Sequence, residues 1–209
     1  IKHSSDLVYY HPLYEIANNF NNGEIRMGAS IDAYLNGYSD PRRSVYFIAA
    51  TGDGSFHGVR LGITPSSWNN YKGEKISNLN VNNSTTEIVW ITAAESYFLR
   101  AEGALRGWNM GGDTKTFYNQ GITASFTENG IAAQADTYMS NSTRIPSAFT
   151  DNVGSDNATA PSTITIAWND GATDEQKLER IITQKWLALY PDGPEAWAEF
   201  RRTGYPKLF

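Results

Sequence analysis

The 209-residue sequence contains no cysteine, which at once removes disulfides, thiolate metal sites and a thiol nucleophile. Histidine is nearly as scarce. His3, His11 and His57 are scattered, with no HxH or HExxH spacing, so neither a metal site nor a cofactor is expected, and no Asp/Glu spacing points to a calcium loop. No apolar run approaches the roughly 18 to 20 residues that cross a bilayer, and the opening IKHSSDLVYY is not a signal peptide. Positive charge is also in deficit. Seventeen Lys+Arg against 22 Asp+Glu give a formal charge of −5. With no run of four basic residues, nucleic acid is excluded as an expected partner. The sequence has no GxSxG, P-loop or GxGxxG context, and so no hydrolase elbow or nucleotide site.

What the chain has is aromatic and amide side chains. It carries 6 Trp, 12 Tyr and 9 Phe, abundant Asn, and only 19% charged residues. Sugar rings present flat C–H faces that stack on aromatics, and their hydroxyls pair with Asn, Asp and Gln. The same rings also dominate protein cores, so position decides between the two roles.

Residues 1–83 read as a loop-rich segment in which Gly, Asn, Ser and Pro interrupt the apolar residues, with short regular elements expected only at 29–38 and 44–50. The stretch 51–83 is far longer than an ordinary connection, and its Phe56, Trp68 and Tyr71 argue against disorder. Residues 84–209 read as helical. Ser84-x-x-Glu87 has the form of a capping box, and Ile91, Ala94, Phe98, Ala101, Leu105 and Trp108 fall on one helical stripe. Asp113 suits the N-cap of a second helix running to Asn129-Gly130, and Gly121 would let the two helices approach closely as a hairpin. A short helix over 131–140, a polar surface connection over 141–163 and a brief TITIAW element follow. Thr173-x-x-Gln176 is another capping box, opening a helix that stops at Tyr190-Pro191, and Pro194 suits the first turn of the last helix. No clean 34-residue repeat is found.

Three stretches resemble the C-terminal half of the SusD/RagB family of nutrient-binding outer-membrane lipoproteins: DPRRSVYF at 40–47, AAESYFLRAEGALRGW at 93–108 with YNQGITASF at 118–126, and RIITQKWLALYPDGPEAWAEFRRTGYPKL at 180–208. The resemblance implies one mainly α domain across 1–209, with tetratricopeptide-like helix pairs and long irregular ligand-binding loops. It implies a non-catalytic subunit that hands oligosaccharide or polysaccharide to a SusC-like TonB-dependent transporter at the cell surface. The alternative is a helical-repeat scaffold that contacts the transporter without a sugar site of its own. Family members are about twice as long, begin with a lipidated Cys and continue past the RRTGYP motif. This sequence is therefore expected to be an internal fragment, whose only membrane link would be an anchor lying outside it.

Trp68, Asn69, Asn70 and Tyr71 form the segment expected to bind ligand, with Phe56 and His57 as second choices. They are aromatic and amide residues in a polar loop where no helical stripe explains their burial, and the resemblance implies that the stretch before the helix pair contributes to the glycan surface. Glu95 and Glu102, two helical turns apart, raise the question of a glycosidase pair. The expectation is ion pairing with arginine or lysine of the same or a neighbouring helix instead. Lys185, on an otherwise apolar face, is expected to pair with Glu95, Glu102, Glu195 or Glu199. Trp90, Trp108, Trp186 and Trp197 are expected to pack. Sequons at Asn82, Asn83, Asn141 and Asn157 fit chance in an Asn/Ser/Thr-rich chain.

Overall fold

The computed structural model describes residues 10–19, 25–64, 66–81, 85 and 87–209. The chain is mainly helical. A loop-rich first part carries α1 (Pro12–Asn18), α2 (Ala29–Gly37), α3 (Arg42–Tyr46) and one antiparallel pair, β1 (Phe47–Ile48) with β2 (Asn78–Leu79). The second part holds α4 (Ala93–Leu105), α5 (Thr114–Glu128), α6 (Ala135–Met139), α7 (Asp174–Ala188) and α8 (Gly193–Thr203). Helix α1 was not expected from composition; Pro12 occupies its first turn and His11 Nδ1 accepts the Leu13 N–H at 3.1 Å.

Helices α4 and α5 form the expected hairpin. Phe98 and Ala101 of α4 meet Tyr118, Ile122 and Phe126 of α5 and Ile181 and Ile182 of α7 in one buried cluster. Gly121 is required there, because a Cβ at that position would lie 2.7 Å from the Phe98 ring. Asp113 caps α5 by accepting the Thr116 N–H, and Thr173 with Gln176 forms the capping box of α7.

The start of α4 differs from expectation. Ser84 lies outside the described residues, 87–92 are not helical, and α4 begins at Ala93. Its true cap is Thr92, whose hydroxyl accepts the Glu95 N–H at 3.1 Å, while the Glu128 carboxylate at the end of α5 accepts the Ala93 N–H at 2.8 Å. Two caps from different elements satisfy donors that a longer helix would have satisfied internally. Ile91 thus precedes the helix, Trp108 lies beyond its end at Leu105, and both are exposed. Trp90 and Trp197 are exposed as well, against the expectation that they pack, whereas Trp186 meets Tyr34 edge-on with centroids 5.7 Å apart. The TITIAW stretch forms no regular element. It runs irregularly with Ile164 and Ile166 buried, their carbonyls accepting the Tyr38 and Tyr118 hydroxyls at 3.0 and 2.6 Å.

Two ionic clusters join the elements. Arg42 is fully buried; its guanidinium pairs with Asp40 at 2.6 Å and donates to Ser125 of α5, Tyr138 of α6 and Gln184 of α7. A buried charge is costly unless its donors are filled, and here they are filled from three helices. The second cluster centres on buried Lys185 of α7, whose Nζ lies 3.0 Å from Glu199, 3.3 Å from Glu195 and 3.6 Å from Glu95. Arg202 of α8 bridges Glu102 and Glu199 at 2.5 and 2.6 Å, and Arg106 also reaches Glu102.

Candidate functional site

The long loop after β1 is built on paired backbone. Residues 27–29 lie between its two legs: Val59 N–H donates to the Met27 carbonyl, Ala29 N–H to the Val59 carbonyl, and Met27 N–H to the Ser77 carbonyl, all at 2.8 to 2.9 Å. Ser77 N–H donates in turn to the His57 carbonyl at 2.9 Å. The legs are thereby fixed to the start of α2, and the tip between them carries the aromatic turn.

Within that tip, Trp68, Asn69 and Asn70 make one turn of 3-10 helix, closed by the Tyr71 N–H donating to the Trp68 carbonyl at 2.9 Å. Thr64 and Ser67 brace its start through their hydroxyls at 2.8 Å. Trp68 is 41% exposed, and the side chains of Asn69 and Asn70 are open to solvent. An indole and two amides on one short turn provide a stacking face beside hydrogen-bonding groups.

Tyr71 differs from its neighbours. It is only 6% exposed and donates its hydroxyl to Asp151 Oδ2 at 2.8 Å. Burial and the bond to that carboxylate push its phenol up to about 12. Tyr71 therefore tethers the turn and leaves no open ring face for stacking. Asp151 belongs to a turn over 149–158 closed by paired bonds between Phe149 and Ala158, and that turn follows the Ser147 N–H donating to Ala33 of α2. Its carboxylate also accepts the N–H groups of Val153, Gly154 and Asp156. Asn152, Asp156 and Asn157 stand exposed on this second turn. They fall in the stretch that reads as a polar connection, although Asp-x-x-Gly within an Asn/Ser-rich run is a usable sign of a side-chain-stabilised turn.

Phe56 and His57 sit lower on the loop. The Arg43 guanidinium lies 4.6 Å from the Phe56 ring centroid, and the His57 ring is hydrogen-bonded to Asp53 at 2.8 Å. Nearby Asp32 of α2 accepts the Gly58 N–H at 2.8 Å and bonds Asn36. Burial raises its carboxyl to about 6, against opposing contributions from Gly58, His57 and Arg43. Phe56 and His57 are thus bound into the base of the loop, while Trp68, Asn69 and Asn70 are presented at its tip.

An apolar cleft of about 440 Å³ lies between the start of α2 and the α7–α8 corner, walled by Ile31, Phe47, Trp186 and Tyr190, and none of the six expected residues lines it. Glu95 and Glu102 occupy neither place, since both are committed to the ionic cluster. Among the described residues no three His, Asp or Glu side chains converge as metal ligands, and no helix is long and apolar enough to cross a membrane.

Comparison with known proteins places the chain in a family. The model of Susd and RagB outer-membrane lipoproteins matches residues 1–209. A SusD homologue from Bacteroides thetaiotaomicron is 44% identical, with a TM-score of 0.86 over 96% of this chain and 42% of its own. A chitin-binding SusD homologue from Flavobacterium johnsoniae is 41% identical, with a TM-score of 0.87 over 97% of this chain and 41% of its own. One from Bacteroides uniformis is 40% identical, with a TM-score of 0.89 over 97% and 42%. The chain thus spans about two fifths of the length of these relatives. A search of curated proteins gives no match.

Proposed function

Since the chain belongs to the SusD/RagB family of outer-membrane lipoproteins, we propose that it is part of a non-catalytic glycan-binding subunit of a TonB-dependent uptake complex at the cell surface. The observation that carries this reading is the half-exposed Trp68, held with Asn69 and Asn70 on a short turn whose loop is pinned at both legs. The indole supplies a stacking face, the amides pair with hydroxyls, and the pinned loop keeps the ordering cost of binding low. The chitin-binding relative makes a β-linked amino-sugar polymer a natural first probe. Catalysis finds no support in the carboxylates: Glu102 accepts from Arg106 and Arg202, and Glu95 faces Lys185.

Titration with a panel of soluble oligosaccharides that includes chitin fragments tests the reading. Saturable binding without release of new reducing ends is expected, and release that disappears in Glu95→Gln or Glu102→Gln would replace binding with hydrolysis. A second reading, a scaffold that only contacts the transporter, draws on the exposed Trp90, Trp108 and Trp197. It predicts that a folded protein binds no sugar yet is retained by the transporter.

A further inference from the structure

We propose that Tyr71 and Asp151 are positioning residues for Trp68: their hydrogen bond locks the aromatic turn to the 149–158 turn and so sets how the indole is presented. The inference rests on the glycan-platform reading for its purpose, but its geometry stands independently. Tyr71 takes part twice. Its backbone N–H closes the turn on the Trp68 carbonyl at 2.9 Å, and its hydroxyl reaches Asp151 Oδ2 at 2.8 Å. Any shift of the Tyr71 ring is therefore passed to the residue three positions earlier.

Asp151 is suited to hold rather than to bind. Its Oδ1 accepts the Val153 and Gly154 N–H groups at 2.9 and 3.0 Å, and its Oδ2 accepts the Tyr71 hydroxyl and, at 3.2 Å, the Asp156 N–H. Four donors engage the carboxylate, and the residue is buried. It has little capacity left for a ligand hydroxyl. Gly154 keeps the approach open: a Cβ there would stand 2.9 Å from both the Tyr71 hydroxyl and Asp151 Oδ2. A second bond ties the leg of the same loop to that turn, from Arg60 Nη1 to the Asp156 carbonyl at 3.3 Å. The Asp151 N–H is itself held by Asn157 Oδ1 at 2.8 Å, so the receiving turn is braced from within.

The deciding experiment needs no ligand. The six tryptophans of the chain are replaced by 5-fluorotryptophan, the Trp68 resonance is assigned with Trp68→Phe, and fluorine NMR spectra are recorded for Tyr71→Phe and Gly154→Ala. Tyr71→Phe removes the donor and keeps the ring, whereas Gly154→Ala crowds the bond from the other side. The lock predicts that both variants shift or broaden the Trp68 resonance and leave the other five in place. It also predicts an increase in acrylamide quenching that is absent when Trp68 is Phe. A Trp68 resonance that superimposes on the parent in both variants overturns the proposal. Displacement of all six signals would overturn it as well, since that marks general loosening. The outcome does not depend on whether sugar binds, so failure of the glycan reading shows separately, in oligosaccharide titrations of the parent and Trp68→Ala.

Discussion

The exposure of Trp68 was legible in the sequence because no helical stripe accounted for its burial in an Asn/Ser-rich loop. Tyr71 looked the same on paper. What separates them is a partner 80 residues away, and although Asp-x-x-Gly marks a turn at Asp151, nothing in the spacing links that turn to Tyr71. Trp68→Ala should remove a stacking face while leaving the fold intact, because the indole is 41% exposed and makes no contact the core depends on. An affinity loss of about 2 kcal/mol, roughly thirtyfold, is the scale for an aromatic anchor at a binding surface. Thermal stability should change by less than about 0.5 kcal/mol. A calorimetric titration beside a melting curve checks both values.

At the scale of elements, the hairpin, the α7 capping box and the last helix were legible because each is set by residues within a few positions of one another. The start of α4 was not. Its donors are capped by Thr92 and by Glu128 from the far end of α5, and that second partner exists only once the hairpin has closed. Gly121→Ala tests the close approach: the added methyl would stand 2.7 Å from the fully buried Phe98 ring. Overpacking costs about 1–3 kcal/mol, more than the roughly 1 kcal/mol that alanine returns in helix propensity, so the urea midpoint should fall.

Lys185→Met tests the joint between α4, α7 and α8. It leaves Glu95, Glu195 and Glu199 facing one another without the ammonium, with Arg202 as the remaining cation beside Glu199. A loss of about 3 kcal/mol or more is expected at pH 7. Glu95 is already raised, chiefly by burial and against the pull of Lys185. Removing Lys185 takes away that pull and raises Glu95 further, so the folded state binds more protons than the unfolded one as acidity grows. The deficit should narrow between pH 7 and pH 5, as urea titrations at the two values would show.

Across the whole molecule, the three stretches that carried the family resemblance turn out to be its scaffold. DPRRSVYF supplies the buried Asp40–Arg42 hub, AAESYFLRAEGALRGW supplies Glu95 and Glu102, and the last stretch supplies Lys185, Glu199 and Arg202. Family and helical architecture were therefore readable from patterned, charge-bearing segments, while the proposed site lies in loops whose local patterns do not encode their distant partners. The four tryptophans expected to pack mark the limit of local reasoning, since three of them are exposed on this chain, which spans about two fifths of its relatives.

Glu102 gives the fold part of its acid sensitivity. Burial alone would raise its carboxyl, but hydrogen bonds from Arg202 and Arg106 outweigh that and hold it below the usual glutamate range. A group lowered in the folded state stabilises above its unfolded value, near 4.3, and loses that contribution as pH falls through the folded one. Glu102→Gln should therefore lower the melting temperature at pH 7 and flatten the decline of stability on the acid side. Melting curves from pH 7 to pH 3 would record both.

On the function proposed above, an open aromatic turn on this helical scaffold binds glycan without cleaving it. The most direct test is calorimetric titration of the parent protein and Trp68→Ala against the same oligosaccharide panel, with helical circular dichroism recorded on each sample. Saturable binding by the parent, weakened roughly thirtyfold in a fully helical Trp68→Ala, is the predicted result. Undiminished binding in that variant, or no binding by a fully helical parent to any member of the panel, would contradict it.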